Sequence, residues 1–366
     1  MSAAFVYAPE VARAILRPDH PLKPARARDC YDLLEAAGAF TRGAARVVEP
    51  ANATRDDVLR VHTAPFVDAV ERLSRPHAQD DFDATSWGLG AHGDTPAYEG
   101  MYEYGLLVCG ASIDAVRLVD SGESPVAFNP AGGVNHHAMP GRASGFGVLN
   151  DAAVAIAWLL ERGRRVMYLD LDVHQGDGVE AAFARDDRVL TVSLHESTQA
   201  LFPGPKGGFP ENVGEGPGTG YAVNVPLAPY TGDDVWLWAF EQIVPPLHGA
   251  FRPDLLLVQL GADGYFDDPL AHLLLTERAY RTAAERLREL TGGRIAAVGG
   301  GGYDVDATPR IWAGEFAALA GLSLDLPVPE AATPRVEPRY EEQIRRFAEQ
   351  AVETVRRLVF PVHGLA

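Results

Sequence analysis

The sequence predicts an α/β fold in which helices flank a central, mostly parallel β-sheet, and three observations lead to this prediction. Short apolar runs alternate along the chain with longer segments that carry a helical pattern. Several of these runs, among them "LLLVQL" at 255–260, are apolar without alternation, as strands covered on both faces are. Strands that alternate with helices form βαβ units, and such units give a parallel sheet.

Six apolar runs are candidate strands. In chain order they are "AFVY" (4–7), "PVAFN" (125–129), "RVMYLDLDV" (165–173), "RVLTVSL" (188–194), "LLLVQLGAD" (255–263) and "RIAAVGGGG" (294–302). Helical segments lie between them. The segment 149–163 has Asn150 or Asp151 as its N-terminal cap, and the segment 276–293 ends on glycines.

The C-terminal part of the chain is expected to wrap around the fold. Residues 323–338 are rich in proline and predict an extended arm, and an amphipathic last helix follows at 339–359. The sequence contains no internal repeat and no low-complexity tract. It therefore predicts a single domain over residues 1–366, which includes the arm and helix at 323–366.

Composition and charge narrow the class of protein. At 366 residues, with 47% hydrophobic residues, the chain is long enough to form a large soluble core. The net charge of −18 disfavours nucleic acids and anionic membranes as partners, and it suits basic peptides or polyamines better. We expect no membrane span, signal peptide or disulfide framework, since no apolar run approaches about 20 residues and only Cys30 and Cys109 are present. These features predict a cytoplasmic protein.

The stretch "DLDVHQGDGVE" at 170–180 places acids and a histidine directly after a buried run. Because side chains alternate along a strand, Asp170, Asp172 and His174 share one side and converge at its C-terminal end. Buried carboxylates are unfavourable unless a partner compensates them. The stretch therefore indicates a functional site.

Three further predicted strands deliver reactive side chains at their C-terminal ends. These are Asp263, Tyr303 and the neighbours His136 and His137. Each has an ordinary explanation by itself, as a helix cap, a core aromatic or surface histidines. In open parallel sheets, however, ligands bind outside the carboxyl ends of the strands. Convergence of all four strands at this edge favours an active site.

The residue types at this edge are those of a metal centre. Two carboxylates and one imidazole, from Asp172, His174 and Asp263, suit Zn²⁺ or Fe²⁺. Three protein ligands leave a coordination position open, which is typical of a catalytic site. A metal held there lowers the pKa of a bound water to about 7 and polarises a substrate carbonyl.

The remaining polar side chains complete a hydrolytic site. His136 and His137 are candidates for a general base and a general acid, each oriented by a carboxylate. Tyr303 is a candidate hydrogen-bond donor to the oxyanion that forms during amide or ester hydrolysis. The residues therefore predict a metal-assisted hydrolase.

Eight sequence blocks, in order along most of the chain, resemble a known family. They are "HPLKPAR" (20–26), "GDTPAYEG" (93–100), "GGVNHHA" (132–138), "ASGFGVLND" (143–151), "YLDLDVHQGDGVE" (168–180), "VSLH" with "FPG" (192–204), "QLGAD" (259–263) and "GGGGY" (299–303). The sequence is similar to the zinc-dependent histone deacetylase and acetoin-utilisation deacetylase family, which shares the arginase-like α/β fold.

The resemblance implies zinc ligands, two histidines, their carboxylates, an oxyanion donor and substrate contacts. The zinc ligands would be Asp172, His174 and Asp263. The two histidines would be His137, paired with Asp177, and His136, paired with Asp170. The oxyanion donor would be Tyr303, and the substrate contacts would be Asp94, Gly145, Phe146, Phe202 and Leu270. His137 would be the general base and then the acid, with His136 as electrostatic support. Phe146 and Phe202 would flank an acyl-lysine tunnel, and Asp94 would bind the substrate backbone at the rim.

The resemblance also implies a structural K⁺ beneath the zinc. Its ligands would be Asp170, Ser193 and the backbone carbonyls of Asp172, His174 and Leu194.

Departures from the family pattern bear on the reaction and the substrate. Gly176 stands where two-metal ureohydrolases of this fold carry an aspartate, which argues against their reaction. Gln175 replaces a second histidine found in many relatives and is expected to be peripheral. Leu270 lies near the position where polyamine deacetylases carry an acidic gatekeeper, which favours acyl-lysine. Asp267 and Asp268 nearby keep polyamines as an alternative.

Three functions follow in order of preference. The first is a zinc-dependent deacetylase of lysine side chains in proteins. The second is an amidohydrolase for acetylpolyamines or other small acetyl-amines. The third is a catalytically silent protein that only binds acylated ligands, and the complete set of ligands with an intact tyrosine argues against it.

Overall fold

Eight parallel strands form one continuous sheet in the computed structural model of the chain, which describes residues 2–14, 17–41, 43–76, 78, 84–90, 93–327, 334 and 336–366. The strands are β1 (Ala3–Val6), β2 (Ala45–Val48), β3 (Val126–Asn129), β4 (Val166–Asp170), β5 (Val189–Glu196), β6 (Ala222–Leu227), β7 (Leu255–Gln259) and β8 (Ile295–Val298). Their order across the sheet is β2-β1-β3-β8-β7-β4-β5-β6. Every pairing between these strands is parallel, so the predicted α/β class is confirmed.

Ten α-helices connect and cover the strands within the described residues. They are α1 (Arg26–Ala36), α2 (Arg55–Val58), α3 (Ala64–Leu73), α4 (Met101–Asp120), α5 (Asp151–Leu160), α6 (Asp177–Phe183), α7 (Asp233–Phe251), α8 (Glu277–Leu290), α9 (Ala307–Ala320) and α10 (Pro338–Val359). Short 3₁₀ turns occur at Pro9–Ala12, Ala84–Trp87, Val134–His137, Gly216–Gly218 and Phe360–His363.

Both faces of the sheet are buried, which explains the apolar runs without alternation. On β4, Met167 and Leu169 pack into the core that the sheet forms with α1, α7, α8, α9 and α10. Val166 and Tyr168 point the other way and pack into the core formed with α4, α5 and α6. Neighbouring residues of one strand thus enter two different cores, and both must be apolar.

The six candidate strands correspond to β1, β3, β4, β5, β7 and β8, whereas β2 and β6 were not predicted. Both missed strands lie at the edges of the sheet. In β2 only Ala45 is fully buried, so "ARVV" lacks a strong apolar pattern. Strand β6 contains Pro226, a residue that sheets tolerate mainly at an edge because it has no backbone N–H.

Side-chain contacts define the N-terminal cap of α5 and the packing of the C-terminal helix. Asn150 is the cap of α5, since its Oδ1 accepts the N–H of Ala153 at 3.0 Å. Helix α10 packs on β6 and α7 through a buried stripe that includes Val352 and Val355. Of the proline-rich arm, residues 328–333 and 335 lie outside the described residues.

Within the described parts of the chain, none of the helices combines the length and hydropathy that crossing a bilayer requires.

Candidate metal centre and active site

The buried group Asp172, His174 and Asp263 lies at the carboxyl ends of the adjacent strands β4 and β7. Strand β4 ends at Asp170, and the chain then carries Asp172 and His174 just beyond it. Nδ1 of His174 lies 3.1 Å from Oδ1 of Asp172 and 3.0 Å from Oδ2 of Asp263. One ligand atom from each of the three residues lies within 4.8 Å of the other two. The three predicted ligands therefore meet at one point.

The other carboxylate oxygens of this group are held by hydrogen bonds. Oδ2 of Asp172 accepts from Nε2 of Gln259 at 2.6 Å and from the N–H of Gly301 at 2.7 Å. Oδ1 of Asp263 accepts from the N–H of Val173 at 2.9 Å. These bonds leave Oδ1 of Asp172 and Oδ2 of Asp263 facing the imidazole, and hydrogen bonds of this kind orient metal ligands.

Glycines permit this close approach of backbone and carboxylates. A Cβ on Gly261 would lie 2.4 Å from Oδ2 of Asp172, and one on Gly301 would lie 1.9 Å from Oδ2 of Asp263. Contacts that short do not occur between real atoms. The glycines of "QLGAD" and "GGGGY" are therefore required by the packing of the two acids.

The electrostatics of the group indicate a need for positive charge. Burial, and then the neighbouring carboxylate of Asp172, raise the pKa of Asp263. Burial alone would lower the pKa of His174, but its hydrogen bonds with Asp172 and Asp263 raise this pKa to about 10. Two buried carboxylates thus face one imidazole nitrogen.

The donor set and its spacing fit a divalent ion of the size of zinc. Ligand atoms that share a tetrahedral zinc at about 2.0 Å lie about 3.3 Å apart, close to the observed 3.0 and 3.1 Å. Carboxylate and imidazole are ligand types that zinc accepts in catalytic sites.

Two histidines lie beside the group, each bound to its own carboxylate. His136 donates from Nδ1 to Oδ2 of Asp170 at 2.9 Å, and its Nε2 lies 3.8 Å from Oδ1 of Asp172. His137 donates from Nδ1 to Oδ1 of Asp177 at 2.7 Å. The predicted pairs His136–Asp170 and His137–Asp177 are therefore both present in the structure.

The two imidazoles differ in charge. Burial alone would lower the pKa of His136, but the carboxylates of Asp170 and Asp172 raise it to about 9. Burial, and then the positive charge of His136, lower the pKa of His137. His137 is therefore the neutral imidazole of the two, and its Nε2 is available to accept a proton.

A buried acid that the sequence suggested only as a possible helix cap holds the loop that carries both histidines. Asp151 accepts the N–H of Gly133 at 3.0 Å, the side-chain amide of Asn135 at 2.9 Å and the hydroxyl of Ser112 at 2.6 Å. Its position after Asn150, the true cap, gave no local signal of this role. The role of Gln259, which binds Asp172, was also missed. Its amide is the one polar side chain in the apolar run "LLLVQL", and that exception is visible in the sequence.

Aromatic rings of the site pack on catalytic candidates. The ring of Phe202 lies 4.8 Å from that of His137 and 6.4 Å from that of His174. The ring of Phe146 lies 5.6 Å from that of Tyr303. Burial raises the pKa of the Tyr303 phenol, which therefore stays a proton donor at neutral pH.

The loop of Gly145 and Phe146 is shaped by its contact with the site. Phe146 has a φ of 69°, in the left-handed region that bulky residues rarely adopt. A Cβ on Gly145 would lie 2.3 Å from Cδ2 of His137, so only glycine allows the loop to pack on that imidazole. The exposed Asp94 accepts the N–H of Gly145 through Oδ2 at 3.3 Å and the Thr95 hydroxyl through Oδ1 at 2.9 Å.

Leu270 and Gln175 are two further residues that the sequence singled out. Leu270 is half-buried on the segment that follows Asp263. Gln175, expected to be peripheral, makes no described bond to the metal group but is buried, and its amide donates to Glu180 at 3.0 Å and to Asn224 at 3.2 Å.

An all-parallel α/β sheet with a buried Asp–His–Asp group and carboxylate-paired histidines at its carboxyl edge defines a metal-dependent hydrolase. A family model described as "Histone deacetylase domain" matches residues 20–319. The chain belongs to this family, and it is a deacetylase. The family and the buried group together imply zinc as its metal.

Relatives over most of the chain support this assignment. The chain is 37% identical over 326 residues to "Acetoin utilization protein AcuC" of Bacillus subtilis, covering 87% of this chain and 82% of the relative. It is 34% identical over 365 residues to a "Probable deacetylase" of Archaeoglobus fulgidus, covering 98% of both. It is also 34% identical over 326 residues to "Histone deacetylase clr6" of Schizosaccharomyces pombe, covering 89% and 78%.

A solved structure, "Crystal Structure of HDA15 HD domain", superposes with a TM-score of 0.81 at 26% identity. The match covers 99% of this chain and 96% of that one.

Proposed function

We propose that the chain removes acetyl groups from lysine side chains of proteins and peptides by hydrolysing the amide. The observation that carries this proposal is the convergence of Asp172, His174 and Asp263 beside the neutral imidazole of His137. Zinc, held by these three ligands, would supply a Lewis acid for the carbonyl and lower the pKa of the attacking water. Fe²⁺ is the second candidate for this position.

His137 is proposed as the general base and then the general acid. Because Asp177 accepts the Nδ1 proton, Nε2 of His137 carries the free electron pair. It takes a proton from the attacking water and then donates it to the nitrogen of the departing lysine. His136 keeps its proton, since Asp170 and Asp172 raise its pKa to about 9, and it adds positive charge beside the reacting atoms.

Tyr303 is proposed to bind the carbonyl oxygen as it gains negative charge. Its phenol remains protonated at neutral pH and can donate one hydrogen bond to the oxyanion. Phe146 and Phe202, which pack on Tyr303 and His137, would contact the alkyl chain of the substrate. Asp94, which is exposed, would accept an N–H of the peptide backbone at the rim.

The residues near Leu270 favour acyl-lysine over acetylpolyamines. Leu270 itself offers no charge to a distant ammonium group. Asp268 is buried and accepts two backbone N–H groups, so it is not available to a cationic substrate. Asp267 is exposed and is the acid in this segment that could attract a polyamine. The small-amine function therefore stays as the second candidate.

A comparison of substrates tests the proposal. With zinc-reconstituted enzyme, kcat/KM for an acetyl-lysine peptide should exceed that for acetylspermidine and acetylputrescine by at least about tenfold. A preference for the acetylated amines would favour the second candidate. Peptide binding without turnover, at full zinc occupancy, would identify a protein that only binds acylated ligands.

Two further properties belong to this proposal. A structural K⁺ would be held by Asp170, Ser193 and backbone carbonyls including that of Leu194. Its support is that Asp170 and Ser193 line a common small void of about 10 Å³. A cytoplasmic location is supported by the two cysteines, Cys30 and Cys109, which are both buried and free.

A further inference from the structure

Asp268 lies on the segment that follows β7, bonds to the segment that follows β8, and is 7% exposed. Its Oδ2 accepts the backbone N–H of Tyr303 at 2.7 Å. Its Oδ1 accepts the backbone N–H of Leu270 at 2.9 Å. One buried carboxylate thus holds both the proposed oxyanion donor and a residue proposed to contact the substrate.

The backbone that leads to Tyr303 runs beside the segment after β7, where Leu260 and Ala262 donate their N–H groups to the carbonyls of Gly299 and Gly301, at 2.8 and 2.9 Å. Strand β8 ends at Val298, and four glycines follow it. Gly300 and Gly302 have φ values of 146° and 132°, which L residues with a side chain rarely adopt. Such a segment depends on contacts from outside for its position.

Side chains from other parts of the chain bind this segment at successive residues. Arg26 donates to the carbonyls of Gly300 and Gly302, at 2.7 and 2.6 Å. The bond from Tyr303 N–H to Asp268 comes next and acts on the tyrosine itself. It is charge-assisted and buried, which makes it stronger than a bond between neutral groups.

We propose that Asp268 is a positioning residue for deacetylation: its carboxylate holds the backbone of Tyr303 so that the phenol meets the developing oxyanion. This inference rests on the role proposed above for Tyr303. Asp268 itself does not contact the substrate, because its two oxygens are engaged by backbone N–H groups. The same carboxylate links the position of the phenol to that of Leu270.

An amide cannot replace the carboxylate here. Asparagine has nearly the same shape as aspartate, but its side chain has one oxygen, and its NH₂ group would face one of the two backbone N–H groups. Asp268→Asn should therefore loosen Tyr303 while leaving the volume of the side chain unchanged. Asp187→Asn is the matched control, because Asp187 is an exposed aspartate just before β5, at the edge of the sheet opposite the site.

The test is a double-mutant cycle on zinc-loaded enzyme. Asp268→Asn should lower kcat about 10- to 100-fold, since a displacement of about 1 Å can lower a rate by that factor, with KM for acetyl-lysine peptide within about twofold. Asp187→Asn should leave both constants unchanged. In the Tyr303→Phe background, Asp268→Asn should have little further effect, because the hydroxyl that it positions is already gone.

Each outcome of the cycle is decisive. If Asp268→Asn lowers kcat by the same factor with and without the Tyr303 hydroxyl, or retains more than half of the parental kcat, the inference is overturned while the role of Tyr303 stands. If Tyr303→Phe alone leaves kcat unchanged, the proposed role of Tyr303 fails and the inference fails with it. If Asp268→Asn loses zinc or unfolds, Asp268→Glu replaces it. That variant keeps the charge and moves the carboxylate by one methylene, and an unchanged kcat would likewise overturn the inference.

Discussion

The floor and the rim of the site are built differently. The floor, defined as Asp172, His174 and Asp263, is almost completely buried, and each side chain is bound by others. The rim, defined as Asp94 and Phe202, is open: Asp94 is exposed and Phe202 is 37% exposed. The floor joins the ends of two central strands, whereas the rim lies on loops.

This difference separates chemistry from substrate choice. Buried acids are unfavourable for folding unless charge or hydrogen bonds compensate them, so the floor tolerates few changes of residue type. Exposed rim side chains contribute little to stability and can change with the substrate. We therefore expect floor mutations to affect metal content and kcat, and rim mutations to affect KM.

The largest effect is expected from loss of a ligand on the floor. His174→Ala should abolish hydrolysis and remove most bound zinc, because it leaves two carboxylates without the third ligand. Zinc is measured by elemental analysis beside activity, with Asp187→Asn as the exposed control. Parental zinc content in His174→Ala would exclude His174 from the ligand set.

The next effect concerns the oxyanion donor above the floor. Tyr303→Phe should lower kcat about 100- to 1,000-fold, because the hydroxyl acts mainly on the transition state. Zinc content and affinity for an acetyl-lysine peptide should remain close to parental. More than half of the parental kcat would show that Tyr303 only packs against Phe146.

A smaller effect is expected at the rim. Asp94→Asn should raise KM for an acetyl-lysine peptide about tenfold with little change in kcat, since one charge-assisted hydrogen bond to the peptide backbone is weakened. KM for acetylputrescine, which has no peptide backbone, should not change. Equal changes in KM for both substrates would show that Asp94 stabilises the loop and does not recognise the peptide backbone.

The smallest effect on catalysis is expected from Glu315. This acid is buried like the acids of the floor, but within the described chain it lacks the hydrogen-bond partners that they have. Neither of its carboxyl oxygens has a hydrogen-bond partner among the described residues, and burial raises its pKa well above the usual value of 4.5. The folded protein therefore holds Glu315 protonated, while the unfolded chain ionises it above about pH 4.5. Its contribution to stability is complete below that pH and is lost as pH rises toward the raised pKa.

Glu315→Gln removes this ionisation with almost the same shape. The variant should have an unchanged kcat and a higher Tm than the parent at pH 8, by about 2–5 °C, with the difference vanishing near pH 4.5. Thermal unfolding at several pH values measures it. A difference in Tm that is constant with pH would mean that Glu315 is compensated by contacts, as the floor acids are.

The sequence predicted the central strands and the floor more completely than the edges and the supporting contacts. The central strands carry strong apolar runs, and a reactive residue lies on the segment that follows each of β3, β4, β7 and β8. The edge strands β2 and β6 lack that pattern. The supporting roles of Asp151, Gln259 and Asp268 were missed because each side chain acts on a loop far away in the chain, 87 residues away for Gln259 and Asp172.

By itself, then, the sequence determined the α/β class, the edge of the sheet that carries the site and the identity of the three ligand candidates. The class and the edge follow from local properties, the apolar runs and the direction shared by parallel strands, whereas the ligand candidates follow from the residue types after β4 and β7. Only the tertiary structure decided that Asn150 caps α5 while Asp151 holds the histidine loop, and that Asp268 binds Tyr303 while Asp267 faces solvent. Neighbouring residues of the same type differ in these roles because the paths of distant loops, and not local sequence, determine which carboxylate is buried beside which backbone N–H.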